Sequence, residues 1–125
     1  MKRNLRIMVI DDENIVGKRL KPALEKNGDV VETFTDARKA LERFSEQEFD
    51  IVVSDIRMDD IDGLEVLEQV LARSEKTKVI IITGYATVEV AQEALVKGAF
   101  DFIAKPFKPN DLRTIIDKAA KELGK

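Results

Sequence analysis

The sequence predicts an α/β protein: a doubly wound parallel sheet of five strands, with helices on both faces. Five short apolar runs alternate along the chain with five stretches whose apolar residues recur at helical spacing. Four of those runs are nearly continuous in apolar residues, which is typical of strands buried on both faces. Strict alternation of strand and helix requires crossover connections, and these are right-handed and lay the strands parallel.

The strands are predicted from the apolar runs and their flanking residues. Their bounds are Leu5–Ile10, Val30–Phe34, Asp50–Ser54, Lys78–Thr83 and Phe100–Ala104. The second run, Val-Val-Glu-Thr-Phe, mixes polar with apolar residues, which favours a place at the edge of the sheet.

The helices are predicted from apolar stripes. In the last helix the stripe is Leu112, Ile115, Ile116, Ala119 and Leu123; in the third it is Leu64, Leu67 and Leu71; in the fourth it is Val88, Ala91 and Leu95. Thr35-Asp36 and Asn110-Asp111 predict helix starts, and Gly28 and Gly98 predict helix ends. Pro22 lies inside the first helical pattern, where it removes a backbone donor and predicts a kink.

Composition limits the available chemistry. The chain has 125 residues, enough for a single domain over 1–125. It has neither cysteine nor histidine, which excludes thiol nucleophiles, imidazole ligands and the commonest general base. The net charge is −3 without a basic run, which argues against nucleic-acid binding. No apolar stretch reaches the ~18 residues of a membrane span, and no signal-peptide pattern opens the chain, so a cytoplasmic location is expected.

Acidic residues follow two of the buried strands. Asp11-Asp12 come after the first strand and Asp55 after the third. Parallel strands bring their carboxyl ends to one edge, and in the order 2-1-3-4-5 strands 1 and 3 flank the switch point where ligands bind. Two unit charges ~4 Å apart repel by roughly 4 kcal/mol at an effective dielectric near 20, so a hard divalent cation is the simplest compensation. An acid pair at a helix start is the alternative for Asp11-Asp12 taken alone.

Two polar residues end the fourth and fifth strands. Thr83 places a hydroxyl donor toward the acids, and Lys105, before Pro106, places a cation there that can also donate to a docked anion. Taken alone, each has a plainer interpretation, as a strand-ending threonine and a solvated lysine. Together with the acids they suit phosphoryl transfer to a carboxylate, because that reaction depends on positioning and on neutralising charge.

The ordered set of Asp11-Asp12, Asp55, Thr83, Phe102 and Lys105-Pro106 resembles the receiver domains of bacterial two-component response regulators in kind, order and spacing. The resemblance covers essentially the whole chain. The part from Ile82 to Phe102 is similar to receivers joined to ATPase-type transcription activators. The implied fold is a flavodoxin-like, doubly wound, five-stranded parallel sheet in the order 2-1-3-4-5 with five helices.

The resemblance also implies a role for each acid. Asp55 would be the phosphoacceptor. Asp12 would bind Mg²⁺ directly, Asp11 mostly through water, and the backbone carbonyl of Arg57 would be a further ligand.

The remaining matched residues would respond to the phosphoryl group. Thr83 and Lys105 would contact it, and Thr83 and Phe102 would form a switch in which the ring packs inward after Thr83 moves. The Lys105–Pro106 peptide matches a position that is cis in the family.

As a receiver, the chain would be a signalling module and not an enzyme, assisting only its own phosphotransfer and dephosphorylation. A sensor histidine kinase would be the phosphodonor, and the signal would pass to an output domain or partner protein. Pairing through the last helices when active is also implied. Direct nucleic-acid or membrane binding by this chain is not expected.

Two positions depart from the family pattern. Asp59 stands where the family usually has proline, which adds negative charge beside the metal site and loosens the loop. Phe102 replaces a frequent tyrosine, so it can signal only by packing. Tyr85, two residues after Thr83, is interpreted either as a gate for water at the phosphoryl group or as a surface residue.

Four alternative interpretations match the residues less well. A phosphatase of the haloacid-dehalogenase type needs two aspartates separated by one residue after the first strand, and Asp11-Asp12-Glu13 does not supply them. A receiver-like interaction module that is not phosphorylated usually lacks an acid or the lysine, and here both are kept. A flavodoxin-like electron carrier would need a hydroxyl-rich loop after the first strand. An EF-hand alignment on Gly63 puts Met58 and Gln69 at positions that require carboxylates.

Overall fold

A computed structural model describes residues 4–58, 61–84 and 88–125 of the chain. Within them, five strands and five helices alternate in the order β1 Arg6–Ile10, α1 Asn14–Glu25, β2 Val30–Phe34, α2 Ala37–Glu46, β3 Ile51–Asp55, α3 Gly63–Arg73, β4 Lys78–Thr83, α4 Val88–Val96, β5 Asp101–Ala104 and α5 Pro109–Glu122. The strands form one parallel sheet in the order β2-β1-β3-β4-β5. The predicted α/β fold and strand order are therefore confirmed, with β2 at an edge.

The sheet separates two apolar cores because successive side chains of a strand point to opposite faces. On one face, residues such as Met8, Val52 and Ile81 pack with α2, α3 and α4. On the other face, residues such as Val9, Val53 and Ile80 pack with α1 and α5. Both sets are fully buried, which explains why the central strands are apolar throughout.

The strand-start edge of the sheet is held by polar side chains that bond to the backbone. Asp29, which is 4% exposed, accepts a hydrogen bond from the Leu5 N–H at 2.9 Å. Asp50 accepts one from the Arg6 N–H at 2.9 Å. The buried Thr77 hydroxyl donates to the Phe49 carbonyl at 2.7 Å. These bonds satisfy groups that burial would otherwise leave unpaired.

The predicted stripe of α4 is confirmed at Ala91 and wrong at Val88 and Leu95. Ala91 and Ala94 are the buried residues of this helix, while Val88 is 67% and Leu95 46% exposed. Two small residues set the packed face because they allow the helix to approach the sheet closely. The larger apolar residues are left on the outer surface.

Smaller differences concern element ends. Strands β1 and β5 begin one residue later than predicted, and β3 begins and ends one residue later, so Asp55 is its last residue. Helix α5 begins at Pro109, before the predicted Asn110-Asp111, because the Asp111 carboxylate accepts a hydrogen bond from the Lys108 N–H and Pro109 takes the first helical position. Helix α1 continues through Pro22 as far as Glu25.

The predicted helix signals at Asp36, Gly28 and Gly98 are confirmed. Asp36 caps α2 by accepting hydrogen bonds from the backbone N–H groups of Arg38 and Lys39. Gly98 has φ of 106° and Gly28 has φ of 87°, both in the region that favours glycine. Among residues 4–58, 61–84 and 88–125, no helix combines the length and the apolar character needed to cross a membrane.

Candidate functional site

Three carboxylates meet where β1 and β3 end. Ile10 is paired with Ser54 across these strands, so the residues that follow, Asp11 and Asp55, lie side by side. Asp12 joins them, and each of the three offers a carboxylate oxygen within 4.8 Å of the others. The topology thus brings together side chains that are more than forty residues apart in the sequence.

Two of these carboxylates are buried and fixed by backbone groups. The side chains of Asp11 and Asp55 are 1% and 8% exposed, whereas Asp12 is exposed. Asp11 Oδ1 accepts a hydrogen bond from the Glu13 N–H at 2.8 Å, and Asp55 Oδ1 accepts one from the Arg57 N–H at 3.3 Å. One oxygen of each buried carboxylate is therefore held by the chain, and Oδ2 of each faces the interior of the cluster.

Lys105 supplies the cation beside them. Its Nζ lies 2.8 Å from Asp11 Oδ2, 3.0 Å from Asp55 Oδ2 and 3.1 Å from Glu13 Oε1. Its backbone N–H donates to the Thr83 carbonyl at 2.7 Å, and its peptide bond to Pro106 is cis. The backbone of β4 thus sets the position from which the lysine reaches across to β1 and β3.

The charges of the site shift the pKa of two groups. Burial alone would lower the pKa of Lys105, but the carboxylates of Asp11, Asp55 and Glu13 outweigh it, and the pKa is raised above its ordinary value. Burial raises the pKa of Asp11, and the neighbouring Asp55 charge adds to this, although Lys105 opposes both. Lys105 therefore stays cationic at neutral pH, whereas the surroundings of Asp11 disfavour the charged form of its carboxylate.

Thr83 and Phe102 lie at the carboxyl end of β4 and within β5. Thr83 is the last residue of β4 and is 1% exposed, and it is paired with Ala104. Phe102 is paired with Ile81 and packs, partly buried, against the core formed with α2, α3 and α4. Thr83 is thus beside the site, and Phe102 lies between the sheet and the outer surface.

The chain matches the family model of the response regulator receiver domain over residues 7–117. It belongs to that family. Every residue of the cluster falls inside the matched range, and the expected resemblance is therefore confirmed for this receiver domain.

The receiver domain is similar to several transcription regulators. It is 39% identical over 114 residues to the regulatory protein AtoC of Escherichia coli, covering 91% of this chain and 25% of that protein. It is 36% identical over 116 residues to the regulator FixJ of Bradyrhizobium diazoefficiens, covering 93% of this chain and 57% of FixJ. AtoC, DctD and NtrC are of the ATPase-type activator class that the sequence resembles. The chain spans about a quarter of the length of AtoC and DctD.

Solved structures agree with the fold of this receiver. A CheY-like receiver from Methanospirillum hungatei superposes with a TM-score of 0.92 at 31% identity, covering 97% of both chains. The beryllofluoride-activated NtrC4 receiver domain dimer superposes with a TM-score of 0.89 at 33% identity, covering 94% of this chain and 98% of that one.

The acids of the receiver domain suit a hard cation. All the donors are carboxylate oxygens, which Mg²⁺ prefers, and nitrogen and sulfur ligands are lacking because the chain has no histidine or cysteine. The three ligand atoms lie within 4.8 Å of one another, so they surround a space of the size that a single small cation needs. Asp11 Oδ2 is buried and accepts no hydrogen bond among the described residues, because the nearby Lys105 ammonium is not aligned to donate to it. These features fit a magnesium ion.

Two residues of the site were missed by sequence reasoning. Glu13, the N-cap of α1, contacts Lys105 although the two are 92 residues apart. Gly63, the first residue of α3, lies so close to β3 that a Cβ there would be 2.4 Å from the Asp55 carbonyl oxygen. A glycine at a helix start was the available signal for Gly63. Glu13 could not be found without the position of β5 relative to β1, which are separated by β3 and β4.

The structure describes only some of the remaining residues that the sequence singled out. Arg57 is exposed and its N–H bonds to Asp55, which places its backbone beside the acids. Asp59 and Tyr85 lie outside the described residues, as does part of the segment from Ile82 to Phe102 that resembles activator receivers.

Proposed function

We propose that this receiver accepts a phosphoryl group on Asp55 from a partner histidine kinase, with Mg²⁺, and thereby switches a protein-interaction surface. The observation that carries the proposal is the placement of the Asp55 carboxylate beside two further carboxylates and one ammonium group. A nucleophilic carboxylate, a set of hard-metal ligands and a cation are the parts that phosphoryl transfer requires.

Asp55 supplies the nucleophile. In the transfer, a bond forms between one Asp55 carboxylate oxygen and phosphorus, while the bond from phosphorus to the leaving group breaks and its electron pair leaves with that group. The Arg57 N–H, 3.3 Å from Oδ1, and the Lys105 ammonium, 3.0 Å from Oδ2, orient the carboxylate. At 8% exposure its side chain is also shielded from competing solvent.

The other charged residues offset the negative charge that arrives. Asp11, Asp12, Asp55 and the Arg57 backbone carbonyl would hold Mg²⁺, which when bound neutralises charge on the phosphoryl oxygens. Lys105 would donate to one of those oxygens and Thr83 to another. The site is therefore expected to bind a phosphoryl group on Asp55 more strongly than the water molecules that the group would displace.

The response would pass from Thr83 to Phe102. Phosphorylation replaces a charge of −1 with one near −2 and adds acceptor oxygens. Thr83 would move toward them, and Phe102, which is only partly buried, would pack further inward. Because phenylalanine has no hydroxyl, packing alone would carry the signal, and the surface of α4, β5 and α5 would change.

The partners follow from the same reasoning. We infer that 1–125 forms a single receiver domain that controls an output domain or partner protein, because the activator relatives are about four times as long. Pairing through the last helices is also proposed, supported by the dimer formed by the activated NtrC4 receiver. The domain would act as a signalling module that assists only its own phosphotransfer and dephosphorylation.

Phosphorylation can be tested with a small phosphodonor. Incubation with acetyl phosphate and Mg²⁺ should add one phosphoryl group per chain, measured by intact mass. Asp55→Asn should abolish the addition, and Asp117→Asn, an exposed aspartate on α5, is the matched control that should retain it. Modification of Asp55→Asn to the same extent would assign the acceptor elsewhere. Continuous release of phosphate from many esters would favour a phosphatase.

Lys105 gives a second test. With Mg²⁺ present, Lys105→Ala should keep the fold and metal binding, because the bound cation would offset the charges of Asp11 and Asp55, but it should weaken the conformational response to phosphorylation. Amide chemical shifts of the α4 and α5 residues would report that response. Loss of folded structure in Lys105→Ala would instead assign the lysine a structural role.

A further inference from the structure

Glu13 occupies a helix-capping position, but its side chain does not cap the helix. It is the N-cap of α1, yet it makes no capping hydrogen bond to the helix. Its carboxylate turns instead to Lys105, 3.1 Å away and 92 residues later in the chain. The contact is therefore a tertiary one between the start of α1 and the end of β5.

Lys105 is surrounded by anions in this arrangement. An ammonium group has three N–H donors, and among the described residues three carboxylates surround this one, from Asp11, Asp55 and Glu13. The ammonium donates hydrogen bonds to Asp55 and Glu13, so a phosphoryl oxygen that recruits it competes with these two acceptors.

The three contacts differ in how readily they can be exchanged. Asp11 is 1% exposed, so leaving its charge unpaired would carry a large desolvation cost, and the Asp55 carboxylate becomes part of the acyl phosphate on phosphorylation. Glu13 is 62% exposed, and water can take over its carboxylate when Lys105 leaves. Its contact is thus the one that a phosphoryl oxygen can replace at the lowest cost.

We propose that Glu13 is a positioning residue that holds Lys105 before phosphorylation and competes with the phosphoryl group for its ammonium. This inference rests on the proposed function of Asp55. Removing the Glu13 charge should make Lys105 more available and tighten the binding of a phosphoryl group. An exposed ion pair is worth little, so the expected gain is about two- to fivefold.

Beryllium fluoride with Mg²⁺, a stable mimic of the phosphoryl group, gives a direct measurement. Its half-saturating concentration, followed by amide chemical shifts, should fall about two- to fivefold in Glu13→Gln. Glu75→Gln, an equal charge change at an exposed position before β4, is the matched control and should leave it unchanged. In metal-free protein, the ammonium protons of Lys105 should exchange faster with water in Glu13→Gln than in wild type.

A shorter side chain separates contact from charge. Glu13→Asp keeps the charge but withdraws the carboxylate by one methylene, so it should tighten binding as Glu13→Gln does. If Glu13→Asp behaves as wild type while Glu13→Gln binds tighter, the effect is one of charge alone and competition for Lys105 is overturned.

The remaining outcomes are also decisive. Unchanged or weaker binding in Glu13→Gln, with normal binding by wild type, overturns the inference and leaves the proposed function standing. If wild type itself fails to bind beryllium fluoride in the presence of Mg²⁺, the proposed function and the role of Glu13 fail together.

Discussion

Gly63 joins the stability of the fold to the geometry of the phosphoacceptor, and its substitution by alanine is the sharpest prediction for this chain. A Cβ at this position would lie 2.4 Å from the Asp55 carbonyl oxygen and 2.6 Å from the Ile56 Cα. Both neighbours are backbone atoms, so neither can rotate away as a side chain would. Relief therefore requires α3 to withdraw from the end of β3.

The size of the effect can be worked from these distances. Bringing the closest contact out to 3.0 Å moves the helix start by roughly 0.6 Å, and overpacking of this kind costs ~1–3 kcal/mol. The shift also stretches the 2.8 Å hydrogen bond from the Gly63 N–H to the Ile56 carbonyl and loosens the buried Val66 and Leu67. Alanine recovers at most ~1 kcal/mol through its helix propensity. A net loss of about 2 kcal/mol is expected, with overpacking the dominant cause.

Urea unfolding followed by circular dichroism measures that loss. With a slope of ~2 kcal/mol per molar urea, the midpoint of Gly63→Ala should fall by about 1 M. Gly84→Ala is the matched control, because Gly84 is exposed and a Cβ there would meet nothing within 4 Å. Its midpoint should stay within ~0.3 M of wild type. Equal midpoints for Gly63→Ala and wild type would refute the reasoning from close approach.

Three further predictions concern charge. Asp12→Ala should weaken Mg²⁺ binding at least ~tenfold by titration calorimetry while leaving the unfolding midpoint near wild type; unchanged affinity would remove Asp12 from the ligand set. Asp11→Asn should raise the free energy of unfolding in metal-free protein at pH 7, because a raised pKa means that the fold disfavours the charged form above the ordinary value of 3.8; a lower free energy of unfolding would contradict this. Arg43 lowers the pKa of Glu32, so the stability that Glu32 contributes is present above about pH 4.5 and is lost as the pH falls through its lower folded value. The difference in urea midpoint between wild type and Glu32→Gln should therefore shrink in acid, and a constant difference from pH 7 to pH 3 would argue against the ion pair.

The sequence predicted the fold well where residue type and environment agree. The bounds of β2 and β4 were predicted without error. In β4 the reason is burial, which demands apolar residues over a defined length, whereas β2 is a partly exposed edge strand of mixed residues. The strand-end acids also came together as the topology required. Local pattern was sufficient in these cases.

Prediction was weaker where close approach decides the outcome. In α4 the residues that pack are Ala91 and Ala94, and hydrophobicity alone gave more weight to Val88 and Leu95. The contact between Glu13 and Lys105 depends on the position of β5 relative to β1, with β3 and β4 between them, which no local pattern encodes. Such features depend on how closely whole helices and strands approach one another, which residue type alone does not determine.

The polar side chains at the strand-start edge give the two ends of the sheet opposite responses to mutation. At that edge, Asp29, Asp50 and Thr77 each satisfy a backbone group, so truncating one leaves a buried polar atom unpaired, at a cost of ~1–3 kcal/mol. At the other edge, replacing Asp11 with asparagine removes a charge that burial and the neighbouring Asp55 disfavour. In a mutational scan, substitutions at the strand-start edge should therefore lower protein abundance, whereas substitutions at the strand-end edge should lower signalling output at normal abundance. The two ends of one sheet would thus serve folding and signalling separately.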